Sequence, residues 1–246
     1  MSLKAPERLL RRPQSTFCPG CGHGIVTRLV SEVVEEMGLG EDFVFVADVA
    51  CGSLATYSID YDSIIAAHGR PVVTAAGLKR VRNDKLLLAY IGDGAAYSIG
   101  IGETLHSAMR NENVTAIVIN NAVYGMTGGQ MAPTTLEGQK TTTTQDGRKL
   151  TTSGQVFDMK KVFGSLDVAY IARGSVDSVP NIKKLKKYIH KAFQKQMNNE
   201  GFTMIEVMST CPTNWGMTPV DAMQRLKNQS LHIFDLGEFI EKNREG

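Results

Sequence analysis

The stretch that most constrains this chain runs from Leu86 to Asn121. An apolar run, Leu86 to Ile91, stops abruptly at Gly92-Asp93-Gly94; a helix-like segment follows, and a second apolar run, Val114 to Ile119, ends in Asn120-Asn121. Short apolar runs bounded in this way read as buried strands. Two of them flanking a helix make a right-handed βαβ unit. Such a unit carries Asp93 and Asn121 beyond the carboxyl ends of parallel strands, where open α/β sheets bind their ligands. The fold class expected is therefore α/β, a parallel sheet flanked by helices.

The chemistry at that edge suits a hard cation. Asp93 supplies a carboxylate, Asn121 an amide oxygen, and the backbone turning through Val123 a carbonyl. Mg²⁺ takes such oxygens in an octahedron and completes it with water and phosphate oxygens. Gly92 and Gly94 let the backbone approach a diphosphate, and the following helix points its N-terminus at the anion. A lone Gly-Asp-Gly is most often only a strand-end turn. Followed by 25 residues and then Asn-Asn, each at a strand end, it is far more specific, because both ends must meet one metal.

The rest of the chain keeps an α/β rhythm. Ile25, Val26, Leu29, Val30, Val33, Val34 and Met37 recur at helical spacing up to the Gly38 stop. Residues 43–50 read as a strand, and His68-Gly69-Arg70-Pro71 opens a helix reaching Lys79 and Arg80. Ala132 to Gly154 is polar and rich in Thr and Gly, either a surface excursion or a lid ordered by cofactor and partner. A helix over 158–164, a strand over 168–172, an amphipathic helix over 180–199 and a strand over 202–209 follow, then a short helix opening at Pro219. On the 180–199 helix, Lys183, Lys184, Lys186, Lys187, Lys191 and Lys195 read as a solvated face opposite Ile182, Leu185, Ile189 and Phe193, with docking of an acidic protein as the alternative.

No composition break divides the 246 residues, so a single domain over 1–246 is expected, with an arm over 1–16 and a tail over 228–246 that is partner-facing or frayed. Arg8, Arg11 and Arg12 in the arm are either solvated or lie on a partner. The balance of 27 basic against 25 acidic residues argues against nucleic-acid or membrane-surface binding. No run of about 20 apolar residues is present to cross a membrane. The basic N-terminus lacks the apolar core of a secretory signal, so a cytoplasmic location is expected.

Four cysteines stand at 18, 21, 51 and 211. Disulfides are disfavoured without a secretory signal, structural zinc usually draws on two compact knuckles, and an isolated Cys is commonly an inert core residue. Cys51 and Cys211, however, each follow a predicted parallel strand on the edge that carries Asp93 and Asn121. The Cys18-Pro19-Gly20-Cys21-Gly22 turn precedes a helix and can fold over that same edge. Four thiolates there suit a [4Fe–4S] cluster better than zinc, because electrons can then leave a neighbouring cofactor.

The Gly-Asp-Gly…Asn-Asn unit is the motif of thiamine diphosphate enzymes. Together with FCPGCGHG (17–24), HGR (68–70) and YGMTGGQ (124–130), it makes the chain resemble the β subunit of 2-oxoacid:ferredoxin oxidoreductases, from about residue 15 to residue 225. MTGGQMAPTT and STCPTNWG make it most similar to the 2-oxoisovalerate, branched-chain type. The resemblance implies that Asp93, Asn121 and the Val123 carbonyl hold Mg²⁺, while Gly94, Gly125, Met126 and Thr127 line the cofactor beside Gly92. It implies that Cys51-Gly52-Ser53 borders the thiazolium, that Cys18, Cys21, Cys51 and Cys211 ligate a [4Fe–4S] cluster, and that His68 contacts the substrate carboxylate or the reacting oxygen. Arg70 and Lys79 are weaker candidates for anion contacts. Some members carry a further acidic residue after Gly-Asp-Gly; Ala95 stands there, so no ligand is assigned to it.

The activity so implied is the coenzyme A-dependent oxidative decarboxylation of a 2-oxoacid to acyl-CoA and CO₂, with electrons passing through the cluster to ferredoxin. Thiamine diphosphate also needs a Glu on a pyrimidine-binding domain to activate its aminopyrimidine. One α/β unit has no room for both domains, so the Glu is expected from an α subunit, with γ and ferredoxin-like δ subunits alongside, in a hetero-oligomer whose single chain is inactive. Two rivals remain: a subunit of a non-oxidative thiamine diphosphate-dependent decarboxylase, and a non-catalytic iron–sulfur electron-transfer module in which Gly-Asp-Gly is only a turn.

Overall fold

The computed structural model of the chain describes residues 5–9 and 16–242. Its strands are β1 (Phe43–Asp48), β2 (Asp62–Ala66), β3 (Leu86–Gly92), β4 (Thr115–Asn120), β5 (Val123–Tyr124), β6 (Gln130–Met131), β7 (Tyr170–Ser175), β8 (Thr203–Met208) and β9 (Gly237–Glu241). Among the described residues seven of these form one sheet in the order β2-β1-β3-β4-β8-β7-β9, while β5 and β6 pair with each other. Every pairing in the large sheet is parallel except that of β9 with β7.

The apolar strands run without alternation because both of their faces are covered. Phe43, Phe45, Leu86, Leu88 and Tyr90 point into one core, and Val44, Val46, Leu87, Ala89 and Ile91 into the other. The helices are α1 (His23–Glu36), α2 (Pro71–Val81), α3 (Ile101–Met109), α4 (Leu150–Ser153), α5 (Met159–Phe163), α6 (Val179–Met197), α7 (Pro212–Trp215), α8 (Pro219–Arg225) and α9 (Leu231–Ile233). The first core takes Val26, Leu29, Val30 and Val33 of α1 with Leu185, Ile189 and Phe193 of α6. The second takes Val72, Ala75 and Ala76 of α2, Ala108 of α3, and Met159 and Phe163 of α5. Helices thus lie on both faces, and the loops leaving β1, β3, β4 and β8 gather at one edge of the sheet.

Several segments depart from the sequence reading. Strand β2 has no counterpart in it; four of its five residues are exposed at the sheet edge. The 228–246 segment, expected as a tail, supplies β9, which pairs antiparallel with β7 from Gly237 to Glu241. The solvated-face reading of the α6 lysines holds for Lys183, Lys184 and Lys187, which are exposed. Lys195 instead is buried and donates to Glu200 Oε2 and to the Lys242 carbonyl, each at 2.7 Å. Lys186 bonds Glu32 and Glu36 of α1 at 2.9 and 2.6 Å, joining the two helices. In the arm, Arg8 pairs with Glu41 and donates to the Gly40 carbonyl of its own chain, whereas Arg11 and Arg12 lie outside the described residues.

Candidate functional site

A cavity of about 280 Å³ opens where β1, β3 and β4 end, with the His68 loop forming a further wall. The parallel pairing of β3 with β4 sets Gly92 opposite Ile119, so Asp93 and the Asn120-Asn121 turn leave the sheet side by side. Asp93 is buried, and its Oδ2 accepts from the Ala122 amide at 3.1 Å and from the Thr134 hydroxyl. Burial pushes its carboxyl up to about 7, and the Glu206 carboxylate adds to the rise; the Thr134 hydroxyl and the Gly94 and Ala122 amides pull the other way. Asn121 is also buried, and its Oδ1 accepts from the Val123 amide at 3.2 Å. Ala122 between them has φ of +59°, a left-handed conformation that few non-glycine residues adopt. That turn brings Asn121 and Val123 to the lining of one cavity.

Opposite the carboxylate end stands His68. Its Nδ1 lies 3.0 Å from Asp48 Oδ2, while Asp48 Oδ1 accepts from the Gly69 amide at 2.8 Å. Asp48 is fully buried, and its carboxyl is raised by that burial, with the Gly69 amide and His68 opposing the rise. An Nδ1–H donated to the carboxylate fixes the ring tautomer and leaves Nε2 as the nitrogen with a free lone pair. Tyr124 forms the adjoining wall and donates its hydroxyl to the Gly94 carbonyl at 3.0 Å. A side chain at position 94 would meet the Tyr124 ring at 2.5 Å, which is why the second glycine of Gly-Asp-Gly has to be one. His23 also lines the cavity, with its Nδ1 2.9 Å from the Tyr90 hydroxyl. Burial lowers the His23 ring to about 4, so it stands neutral.

Cys51 and Cys211 lie beside this cavity. A Cβ placed on Gly125 would stand 3.2 Å from Cys51 Sγ and 3.7 Å from Cys211 Sγ, so both thiols crowd one residue of the cavity wall. The Cys18–Cys21 turn is closed by a Cys21 amide bond to the Cys18 carbonyl at 3.0 Å and held down by Thr210 Oγ1, which donates to the Gly20 carbonyl at 2.7 Å. Gly20, at φ +75°, presses on Pro219 so closely that a side chain there would meet its ring at 2.5 Å. The thiols share one electrostatic environment. Burial pushes Cys21 up to about 12, and Cys211, Cys51 and Cys18 each raise it further. Burial likewise pushes Cys51 up to about 11, with Cys211 and Cys18 adding. Burial raises Cys211 as well, so these three thiols resist ionisation until a cation arrives to compensate them. Among the described residues no three His, Cys, Asp or Glu side chains close around a single ion. Four thiols are the donor set that a [4Fe–4S] cluster takes, each bound to a different iron.

Of the residues singled out in the sequence, Cys51, Gly52, His68, Gly92, Asp93, Gly94, Asn121, Val123, Gly125, Met126 and Thr127 all line the cavity. Ser53 does not: its hydroxyl turns back to the Ala50 carbonyl at 2.8 Å. Lys79 is not there either, because its Nζ caps the far end of α2 through the Asn83 and Lys85 carbonyls at 2.9 and 2.6 Å. Arg70 is engaged by Glu103 at 3.2 Å and by the Ile99 carbonyl at 2.8 Å. Sequence reasoning missed Asp48, His23, Tyr124, Asn214 and Trp215. Asn214 donates to the Gly125 carbonyl at 2.9 Å and contacts Cys211 Sγ at 3.3 Å; Trp215 Nε1 donates to the Asn121 carbonyl at 3.1 Å. Asp48 was marked as an acid at the end of an otherwise apolar strand, and His23, Tyr124, Asn214 and Trp215 stand inside FCPGCGHG, YGMTGGQ and STCPTNWG, where no role was assigned to them.

A parallel sheet with a buried Asp and Asn at adjacent strand ends is where an open α/β fold binds its ligand, and the class of that fold is that of the diphosphate-binding domains of thiamine enzymes. Residues 48–207 match the family described as thiamine pyrophosphate enzyme, C-terminal TPP binding domain. The chain is 35% identical over 237 residues to the 2-oxoglutarate synthase subunit KorB of Methanocaldococcus jannaschii, covering 94% of this chain and 83% of that one. It is 36% identical over 230 residues to the ketoisovalerate oxidoreductase subunit VorA of Methanothermobacter marburgensis, covering 93% of this chain and 48% of that one. The chain therefore belongs to the thiamine diphosphate-binding subunits of the 2-oxoacid:ferredoxin oxidoreductase family. It spans about half the length of the ketoisovalerate oxidoreductase subunits it matches. A 2-oxoglutarate:ferredoxin oxidoreductase from Magnetococcus marinus, solved with 2-oxoglutarate, coenzyme A and succinyl-CoA bound, shares the fold at a TM-score of 0.76 and 23% identity, over 99% of this chain and 87% of that one.

Proposed function

We propose that this chain is the cofactor-binding subunit of a coenzyme A-dependent 2-oxoacid:ferredoxin oxidoreductase acting on branched-chain 2-oxoacids. The observation that carries the reading is the place of Gly125, which lines the Asp93–Asn121 cavity and has the Cys51 and Cys211 thiols against it. A non-oxidative decarboxylase has no use for thiols there. When bound, thiamine diphosphate supplies the electron sink for decarboxylation, and a [4Fe–4S] cluster accepts electrons singly.

The chain's residues divide the remaining work. Asp93, Asn121 and the Val123 carbonyl would hold Mg²⁺ and through it the diphosphate, with Gly92 and Gly94 giving the backbone approach. Cys18, Cys21, Cys51 and Cys211 would hold the cluster. His68, fixed by Asp48, would present Nε2 to the substrate carboxylate or the reacting oxygen. His23, neutral between cavity and thiols, adds no competing charge.

The cavity supports an aliphatic substrate. Val49, Ala50 and Met126 line it, and among the described residues neither Lys nor Arg does, so none of these would meet a second carboxylate with a cation. Rates for a panel of 2-oxoacids in the native complex should favour 2-oxoisovalerate over 2-oxoglutarate by about 10-fold or more; the reverse order would overturn the branched-chain assignment.

The cavity also supports a partner. At about 280 Å³ it falls just below the roughly 300–1,000 Å³ of complete ligand pockets. Its carboxylates among the described residues are Asp48 and Asp93, with no Glu to activate an aminopyrimidine. Val49 and Met126 at its rim are half exposed, as a covered surface would be before assembly.

Asp93→Ala tests the metal end. It removes a desolvated carboxylate but leaves the Ala122 amide and Thr134 hydroxyl without their acceptor, so the fold should survive with a modest loss of stability while the complex loses bound thiamine diphosphate and Mg²⁺. Equal cofactor content in variant and parent counts against the site. Cys51→Ala or Cys211→Ala should abolish the iron–sulfur absorbance of anaerobically purified protein. A full iron complement in both would remove the cluster assignment.

A further inference from the structure

The loop between β6 and α5 bears directly on the metal-binding turn. Its residues Thr134 and Thr135 are fully buried, and Gln139 and Arg148 nearly so. Thr135 Oγ1 donates to the Ala122 carbonyl at 2.6 Å, and Gln139 Nε2 donates to the same oxygen at 3.3 Å. The Ala122 amide is held by Asp93, and Thr134 Oγ1 donates to that same carboxylate oxygen. Ala122, the left-handed residue on which the turn pivots, is thus gripped at both its amide and its carbonyl.

The loop in turn is gathered around one side chain. Arg148 Nη1 donates to the Ala132, Pro133 and Thr135 carbonyls at 3.3, 2.8 and 2.7 Å. Its Nη2 donates to the Ser153, Gly154 and Gln155 carbonyls at 3.3, 3.2 and 2.8 Å. A planar fork with its charge spread over five N–H groups can tie two stretches of backbone together; an ammonium cannot span them. Desolvating a guanidinium is costly, and six peptide carbonyls are what offsets it here.

We propose that the 130–155 loop is a clasp for the metal-binding turn. In it Thr134 is a positioning residue that turns the Asp93 carboxylate, and Arg148 is the hub that holds Thr134 and Thr135 in place. With Oδ2 held by both Thr134 and Ala122, the orientation in which the Asp93 carboxylate meets a cation is set. The left-handed Ala122 would otherwise relax toward an ordinary conformation and swing Asn121 and Val123 out of register. The proposal rests on the assignment of Mg²⁺ and diphosphate to this end of the cavity.

The test is the Mg²⁺ concentration that half-saturates thiamine diphosphate binding, read by calorimetry on the native complex stripped of cofactor. Thr134→Val, which keeps the shape and loses the donor, should raise that concentration roughly 10-fold or more with little change in melting temperature, since a hydrogen bond to a charged group is lost. Thr134→Ser restores the donor and should return it close to the parent value. Arg148→Lys keeps the charge, loses the fork and should shift it in the same direction as Thr134→Val. Parent-like half-saturation in both Thr134→Val and Arg148→Lys, while Asp93→Ala binds nothing, overturns the clasp and leaves the metal site standing. Parent-like binding in Asp93→Ala overturns the metal site and the clasp with it.

Discussion

Asp48 is buried with both carboxylate oxygens engaged, one by the Gly69 amide at 2.8 Å and one by His68 Nδ1 at 3.0 Å. The first bond fixes the His68 loop and the second its ring, so one residue sets both the place and the tautomer of the candidate catalytic histidine. Asp48→Asn keeps an acceptor for Gly69 but faces the ring with an amide N–H, which demands the opposite tautomer. Turnover in the complex should fall about 10²-fold or more, the typical contribution of a positioned acid or base. Cofactor content should hold, because Asp93 and Asn121 are untouched. Turnover at the parent rate would remove His68 from the proposed chemistry. Asp48 was legible only as an oddity, an acid ending an apolar strand. Its partner lies 20 residues away, and nothing in the local pattern joins them.

Among the elements, β7, β8 and the C-terminal segment are joined by Arg173. This guanidinium is fully buried, pairs with Glu206 of β8 and bonds Asp158 at 2.5 Å and Asp235 at 3.3 Å. Glu206 in turn accepts from Asn120 Nδ2 at 3.0 Å, so the pair also braces the end of β4 next to the metal-binding turn. Removing one partner of a buried ion pair leaves an uncompensated charge, and Glu206→Gln should cost about 3–5 kcal/mol in chemical denaturation. A loss under about 1 kcal/mol would show that the pair is better solvated than its burial implies. Runs such as Leu86–Ile91 and Val114–Ile119 were readable because both faces of those strands are covered. Strand β2 was not, since at the sheet edge its burial leaves no periodic trace. Strand β9 escaped for a similar reason: its place is decided by β7 and by the Arg173 cluster, not by its own sequence.

For the molecule as a whole, the proposed function requires a partner to complete the pocket. Asp93, Asn121 and Cys51 line one cavity from the ends of β3, β4 and β1, with Cys211 against its Gly125 wall, yet no glutamate lines it among the described residues. The isolated chain, reconstituted with thiamine diphosphate, Mg²⁺ and iron–sulfur, should therefore reduce no viologen dye with any 2-oxoacid, and a subunit bearing a pyrimidine-binding domain should restore the activity. Turnover by the single chain at a rate near that of the complex would sink the partner requirement. The sequence by itself determined the α/β class, the Asp93–Asn121 pairing and the candidate cysteines, because strand ends and buried runs leave local marks. Only the tertiary structure decided that Asp48 holds His68, that Gly125 stands between Cys51 and Cys211, and that the 132–154 stretch packs onto its own chain through Arg148. Those contacts join residues distant in sequence, and side-chain hydrogen bonds of that kind impose no period on the chain that makes them.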